Sequence, residues 1–117
     1  MTHEESLIQR SCVKWFRYYY PRLTRLLIAI PNGYKTTISQ ARIAKAEGLM
    51  PGASDLILLL GNGRYFGLAI EMKTEKGRQS ESQKLWQADI EKYGGYKYVI
   101  CRSLDDFIKA IVDYVGR

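Results

Sequence analysis

The sequence predicts an α/β protein, a mixed β-sheet flanked by helices in the order α-β-α-β-β-α-β-α. Segments with apolar residues at helical spacing alternate with short apolar runs of strand length. Between them, Gly48 to Lys73 reads as a turn, a buried strand, a hairpin loop and a second strand. A hydrophobic content of 46% and a charged content of 26% are those of an ordinary soluble globular protein. At 117 residues the chain is expected to form one domain, residues 1–117, with a single core.

Glu4 to Tyr20 is predicted as an amphipathic helix ended by Pro21. Leu7, Ile8, Cys12, Trp15, Phe16 and Tyr19 follow helical spacing, and Arg10, Lys14 and Arg17 fill the other face. Thr2 is a better N-cap than His3. A helix cannot bury Tyr18, Tyr19 and Tyr20 on one face, so at least one ring is expected in solvent unless another surface covers it. Leu26 to Ile30 reads as a short buried strand ended by the turn Pro31-Asn32-Gly33. Tyr34 and Lys35 follow in a loop. Thr36 or Thr37 then caps a helix from Ile38 to Glu47, and Thr37-x-x-Gln40 has the form of a capping box. Gly48 stops that helix and Pro51-Gly52 makes a turn.

The hairpin carries the chemistry. Leu56 to Leu60 is a buried run with Asp55 at its start, and the second strand ends in Glu71-Met72-Lys73. Glu71 and Lys73 are two apart and share a face of a strand. Opposed residues in a hairpin have a constant index sum. Asp55 opposite Glu71 pairs Leu60 with Phe66 and leaves a loop from Gly61 to Tyr65, a reasonable length. A slip by one residue would send the carboxylates to opposite faces. The sequence therefore permits Asp55, Glu71 and Lys73 to converge. Two acids and a lysine at the edge of an apolar hairpin are costly unless they are paired or bind a cation.

After Lys73 the polar run to Gln79 is a loop. Ser80 starts a helix to Tyr93, ended by Gly94-Gly95, with Leu85, Trp86, Asp89, Ile90 and Tyr93 expected against the sheet. Tyr96 to Cys101 is a strand. Ser103 or Asp105 opens a last helix through Phe107, Ile108, Ile111, Val112 and Val115.

Composition narrows the function class. No apolar run approaches the roughly 20 residues needed to span a bilayer, so no membrane role is expected. Met-Thr-His-Glu-Glu lacks the basic and apolar regions of a secretory signal. Cys12 and Cys101 lie inside apolar patterns and read as reduced core thiols, and the expected compartment is the cytoplasm. One His and no Cys-x-x-Cys give no zinc pattern. The net charge of +6 suits a polyanionic partner or simple solubility. Placement favours the partner, because Lys76, Arg78 and Lys84 flank the carboxylates together with Lys73.

These residues carry a resemblance. Asp55, a hydrophobic strand and Glu71-x-Lys73 look like the PD-(D/E)xK nuclease superfamily. Glu47-Gly-Leu-Met-Pro-Gly-Ala-Ser-Asp55, Ile70-Glu-Met-Lys-Thr-Glu-Lys-Gly-Arg78, Ser80-x-x-Gln83, Ile30-Pro-Asn-Gly33 and Glu5-x-x-x-Gln9 together resemble the VRR-NUC (virus-type replication-repair nuclease) domain. A lone D…ExK triplet arises by chance, whereas this ordered set is specific and spans nearly the whole chain. Ser54 departs from the pattern, which leads one to expect Pro before the Asp.

The resemblance implies a restriction-endonuclease-like core and a single stand-alone nuclease domain. It also implies a metal-dependent DNA endonuclease that hydrolyses phosphodiester bonds, structure-selective on branched DNA such as Holliday junctions and working as a homodimer. The expected setting is the cytoplasm of a bacterium or of a phage-infected host cell. Asp55 and Glu71 are hard oxygen ligands that select Mg²⁺ or Mn²⁺, with the Met72 carbonyl a further ligand by resemblance. Glu5 reads on its own as a first-turn acid favourable to the helix dipole. The resemblance instead places it beside the site, as a ligand directly or through water, and only Glu5, not Glu4, has Gln9 four residues on. Gln83 reads both as the partner in a capping box with Ser80 and, by resemblance, as a residue that orders the site. Lys73 either orients the water or stabilises transition-state charge. The nearby acids favour its ammonium form, and with it the electrostatic role. Lys76, Arg78, Lys84, Lys35 and Arg42 are the expected DNA contacts. The alternative is a non-catalytic nucleic-acid-binding module of a replication or repair complex.

Overall fold

A computed structural model describes residues 1–31 and 37–116. Helix α1 spans His3–Tyr19 and is opened by a full capping box, with Thr2 Oγ1 accepting from Glu5 N and Glu5 Oε1 accepting from Thr2 N, both at 3.1 Å. Cys12 and Phe16 are the fully buried residues of its inner stripe. Leu7 and Tyr19, expected on that stripe, sit at its margins and are exposed. Of the three consecutive tyrosines, Tyr18 and Tyr19 are in solvent.

Pro21 does end α1, but the chain then turns through a 3-10 helix, Pro21–Leu26. Strand β1 is accordingly only Leu27–Ala29. The predicted turn at residues 32 and 33, and Lys35, lie outside the described residues. Helix α2 (Ile38–Ala46) starts at Thr37, whose capping box with Gln40 is present, and the chain passes Gly48 at φ +108, the left-handed region that favours glycine.

Strands β2 (Leu56–Leu58), β3 (Leu68–Met72) and β4 (Lys97–Cys101) complete a sheet ordered β1-β2-β3-β4. β1 and β2 pair antiparallel, as do β2 and β3, and β4 runs parallel to β3. Leu56 opposes Ile70 and Leu58 opposes Leu68, which is the register that sets Asp55 against Glu71. The ladder stops earlier than expected, and Leu60 and Phe66 do not pair in it. Leu60 O instead accepts from Tyr114 Oη at 2.6 Å, and Phe66 N donates to Gly95 O at 3.0 Å. The loop is therefore tied to Tyr114 and Gly95, and Asn62 braces it by accepting from Arg64 N and Tyr65 N.

Helix α3 (Glu81–Lys92) is capped by Ser80, and α4 (Leu104–Val115) by Ser103. One face of the sheet packs on α1 and α4. There Leu56, Leu58, Leu68, Ile70 and Met72 meet Cys12, Phe16, Phe107 and Ile111, all at most 1% exposed. Each such side chain contributes on the order of 1.5–3 kcal/mol by leaving water. Cys12 and Cys101 are free thiols in this layer, and burial pushes both up to about 12, as unreactive core thiols require.

The other face is covered by α3, and here the helical stripe differs from expectation. Leu85, Asp89 and Tyr93 point to solvent, and Ser82, Gln83, Trp86, Gln87 and Ile90 are the half-buried residues. The cause is the sheet itself. Its α3 side carries Glu71 and Tyr98, so the helix places the amides of Gln83 and Gln87 there beside Trp86 and Ile90.

Candidate active site

β2 enters the sheet just after the turn through Pro51 and Gly52. Gly52 has φ +86, and a Cβ there would lie 2.2 Å from Ser82 O. Only glycine lets this turn press against the first turn of α3. Ser54 follows, fully buried, and its Oγ donates to Leu56 O at 3.0 Å. A hydroxyl thus shapes the approach to Asp55 where the resemblance leads one to expect proline.

Asp55 stands one residue before β2. Its Oδ2 accepts from Met72 N at 2.6 Å, fixing the carboxylate to the strand that bears Glu71. Glu71 is 2% exposed, the one buried acid among the described residues. Loss of water pushes its carboxyl up to about 8, and the negative charge of Asp55 adds to the shift, while Lys73 and the Tyr98 hydroxyl oppose it. Glu71 Oε2 accepts from Gln83 Nε2 at 3.1 Å, and Oε1 accepts from Tyr98 Oη at 3.4 Å. Tyr98 in turn receives Gln79 Nε2 at 3.3 Å, and the same amide donates to Gln87 Oε1 at 2.8 Å. The result is a chain of neutral polar groups from α3 to the buried carboxylate.

Gln83 forms the expected capping box and also reaches Glu71. Its backbone N donates to Ser80 Oγ at 3.2 Å and its Oε1 accepts from Ser80 N at 2.8 Å, leaving Nε2 for Glu71. Lys73 continues the ladder beyond β3, with its N donating to Cys101 O at 3.0 Å. Its ammonium forms no ion pair with a described residue.

Glu5, Asp55, Glu71, Lys73 and Gln83 line one cavity of about 450 Å³. Glu5 reaches it from the first turn of α1, although one of its oxygens is engaged by Thr2 N. Lys45, rather than Arg42, is the α2 cation on this cavity. Lys76, Arg78, Lys84 and Arg42 do not line it among the described residues. Among those residues no group of three or more His, Cys, Asp and Glu gathers closely enough to hold a metal ion.

Two residues of this region gave no signal in the sequence. Tyr98 reads only as an aromatic strand residue. Arg102, just after β4, donates through Nη1 to Thr74 O at 2.8 Å, Glu75 O at 3.2 Å and Gly77 O at 2.7 Å. It gathers the loop after Lys73 around one guanidinium, and that loop packs on the lysine stem, since a Cβ on Gly77 would sit 3.3 Å from Lys73 Cδ.

Comparison with known proteins gives a consistent picture. A family model for the VRR-NUC domain matches residues 3–105. A solved structure described as a VRR_NUC domain protein superposes with a TM-score of 0.84 at 24% identity, covering 99% of this chain and 91% of that one. That likeness shows the fold. No curated protein matches the chain.

Proposed function

The chain belongs to the VRR-NUC family, and from that premise we propose that it is a Mg²⁺- or Mn²⁺-dependent deoxyribonuclease that cuts branched DNA as an endonuclease. The observation that carries this reading is the pairing of Asp55 with the buried Glu71 in a cavity that also receives Lys73 and Gln83.

The residues fit a hard divalent cation. Burial, and then the neighbouring Asp55, disfavour the charged form of Glu71 and push its pKa up to about 8 against the opposing pull of Lys73, and a bound cation would add to that pull. Asp55 and Glu71 would supply two carboxylate oxygens. With no third acid gathered beside them among the described residues, the remaining positions would fall to the Met72 carbonyl, water and substrate phosphate. Mg²⁺ commonly keeps several waters and uses one or two carboxylates. Glu5 would act through water, since Thr2 N already holds one of its oxygens. When bound, such an ion supplies a more acidic water and neutralises charge on the phosphate oxygens.

The protein's own groups do the positioning. Gln83 and Tyr98 donate to opposite oxygens of Glu71 and fix its plane. Lys73 offers its ammonium to a non-bridging phosphate oxygen, where negative charge builds in the transition state. Arg102 holds the loop that backs the Lys73 stem. Lys76, Arg78 and Lys84 on and after that loop, with Arg42, would meet phosphates rather than base edges, giving affinity without sequence preference.

A symmetric four-way junction needs two coordinated cuts, which a twofold dimer supplies. Tyr18 and Tyr19, 78% and 61% exposed, offer aromatic surface of the kind favoured in interface cores. The test is a panel of labelled linear, flapped and four-way DNA with Mg²⁺ or Mn²⁺, run beside light scattering. Faster cutting of four-way DNA by a dimer is expected. Equal rates on linear and four-way DNA would remove the branch preference, a monomer mass would remove the dimer, and binding without metal-dependent cutting would leave a binding module.

A further inference from the structure

We propose that a second, basic groove along α1 binds the sugar–phosphate backbone of a nucleic-acid strand and leads it to Asp55. It rests on the nuclease reading only for the direction in which the strand runs.

The groove encloses about 900 Å³. Gln9, Arg10, Val13, Lys14 and Arg17 line it from α1, and Asp55 lines its end. It meets the carboxylate cavity there, because Asp55 borders both. Arg10, Lys14 and Arg17 are spaced i, i+4 and i+7, so they share one side of the helix. None of them pairs with a described acid, and Asp55 is the only acid among the described residues that line the groove.

That arrangement has a cost that solubility does not explain. Like charges at i, i+4 destabilise a helix by about 0.2–0.5 kcal/mol per pair. Arg17 lies in the last turn, where the helix dipole favours a cation, but Arg10 and Lys14 have no such compensation. A polyanion with repeated charges would supply it. At about 1.5 Å per residue the three cations cover about 10 Å of helix, room for more than one phosphate of a strand. A single phosphate would satisfy one of them.

The experiment measures binding without cleavage. The full chain carrying Asp55→Asn is titrated into a fluorescent single-stranded DNA in EDTA, by anisotropy, over a series of salt concentrations. The same is done after adding Arg10→Gln, Lys14→Gln and Arg17→Gln, and separately after adding Arg64→Gln, Lys92→Gln and Lys109→Gln, three exposed cations elsewhere. The groove triple is expected to lower the slope of log affinity against log salt by about 2, at about 0.7 for each phosphate no longer neutralised, and affinity by at least tenfold. The reference triple should change the slope by less than half as much. An unchanged slope in the groove triple, or equal losses in both triples, overturns the proposal. Circular dichroism checks the fold, and single Arg10→Gln and Lys14→Gln variants, each expected to lower the slope by about 0.7, replace the triple if it unfolds. Loss of slope in a protein that cuts no DNA would remove the nuclease reading and leave the groove. Metal-dependent cutting with an unaltered slope would do the reverse.

Discussion

Gln83 donates through Nε2 to Glu71 Oε2 at 3.1 Å while its own Oε1 caps α3 at Ser80 N. One side chain therefore couples the start of a helix to the buried acid of the site. The two roles separate by substitution. Gln83→Glu keeps an oxygen for Ser80 N but sets a third carboxylate against Glu71. Gln83→Ala removes both hydrogen bonds. The alanine variant keeps Ser80 as N-cap and is expected to lose about 1 kcal/mol of stability with the hydrogen bond to Ser80 N. Both variants are expected to bind metal and cleave some 10–100-fold less well. Thermal unfolding and Mn²⁺ calorimetry check this, and full activity in Gln83→Glu would reduce Gln83 to a cap.

Glu71 fixes the pH dependence. Its folded pKa of about 8 lies above the ordinary 4.5. Between those values the folded protein holds a proton that the unfolded chain has lost, so metal-free stability falls as pH rises through that window. Glu71→Gln removes the titration and the buried charge. Its melting temperature near pH 8 is expected to exceed that of the wild type by about 4 °C or more for each kcal/mol recovered, with the pH slope flattened and cleavage gone. Metal binding to the wild type should release protons and tighten as pH rises. Melting curves in EDTA across the window, with calorimetry in buffers of different ionisation enthalpy, read out both effects. An identical pH slope in Glu71→Gln would contradict the assignment.

Glu5 presents a choice between cap and site. Glu5→Gln retains a side chain that can close the capping box with Thr2 but carries no charge. If the charge serves the cavity, Glu5→Gln lowers metal affinity and cleavage several-fold at unchanged stability, and Glu4→Gln, on the exposed neighbour, does neither. A silent Glu5→Gln beside a destabilised Glu5→Ala would confine Glu5 to helix capping.

Much of the fold is legible in the sequence because its signals are local. Thr37 and Ser80 each announce a helix with a glutamine three residues on, and both capping boxes form, while Thr2 reads as a cap and the structure adds its box with Glu5. A hairpin register follows from index arithmetic, and the ladder from Leu56 to Ile70 keeps it. What is not legible depends on distant neighbours. Tyr98 reaches Glu71 because β4 lies parallel to β3 with Tyr98 opposite Ala69. No turn ties that pair together, so spacing cannot set its register. Arg102 serves a loop some 25 residues earlier in the chain and carries no motif. The stripe of α3 departs from its prediction because hydrophobic periodicity assumes an apolar surface opposite, whereas this face of the sheet holds an acid.

Cleavage of end-labelled DNA by the wild type, Asp55→Ala, Glu71→Ala and Lys73→Ala, prepared identically and assayed with Mn²⁺ or with EDTA, tests the carboxylate centre most directly. The wild type should cut only with metal, and each variant, folded by circular dichroism, should lose cleavage by about a hundredfold or more. Cutting by Asp55→Ala or Glu71→Ala at the wild-type rate, or cutting by the wild type that persists in EDTA, would contradict a metal-dependent nuclease built on these residues.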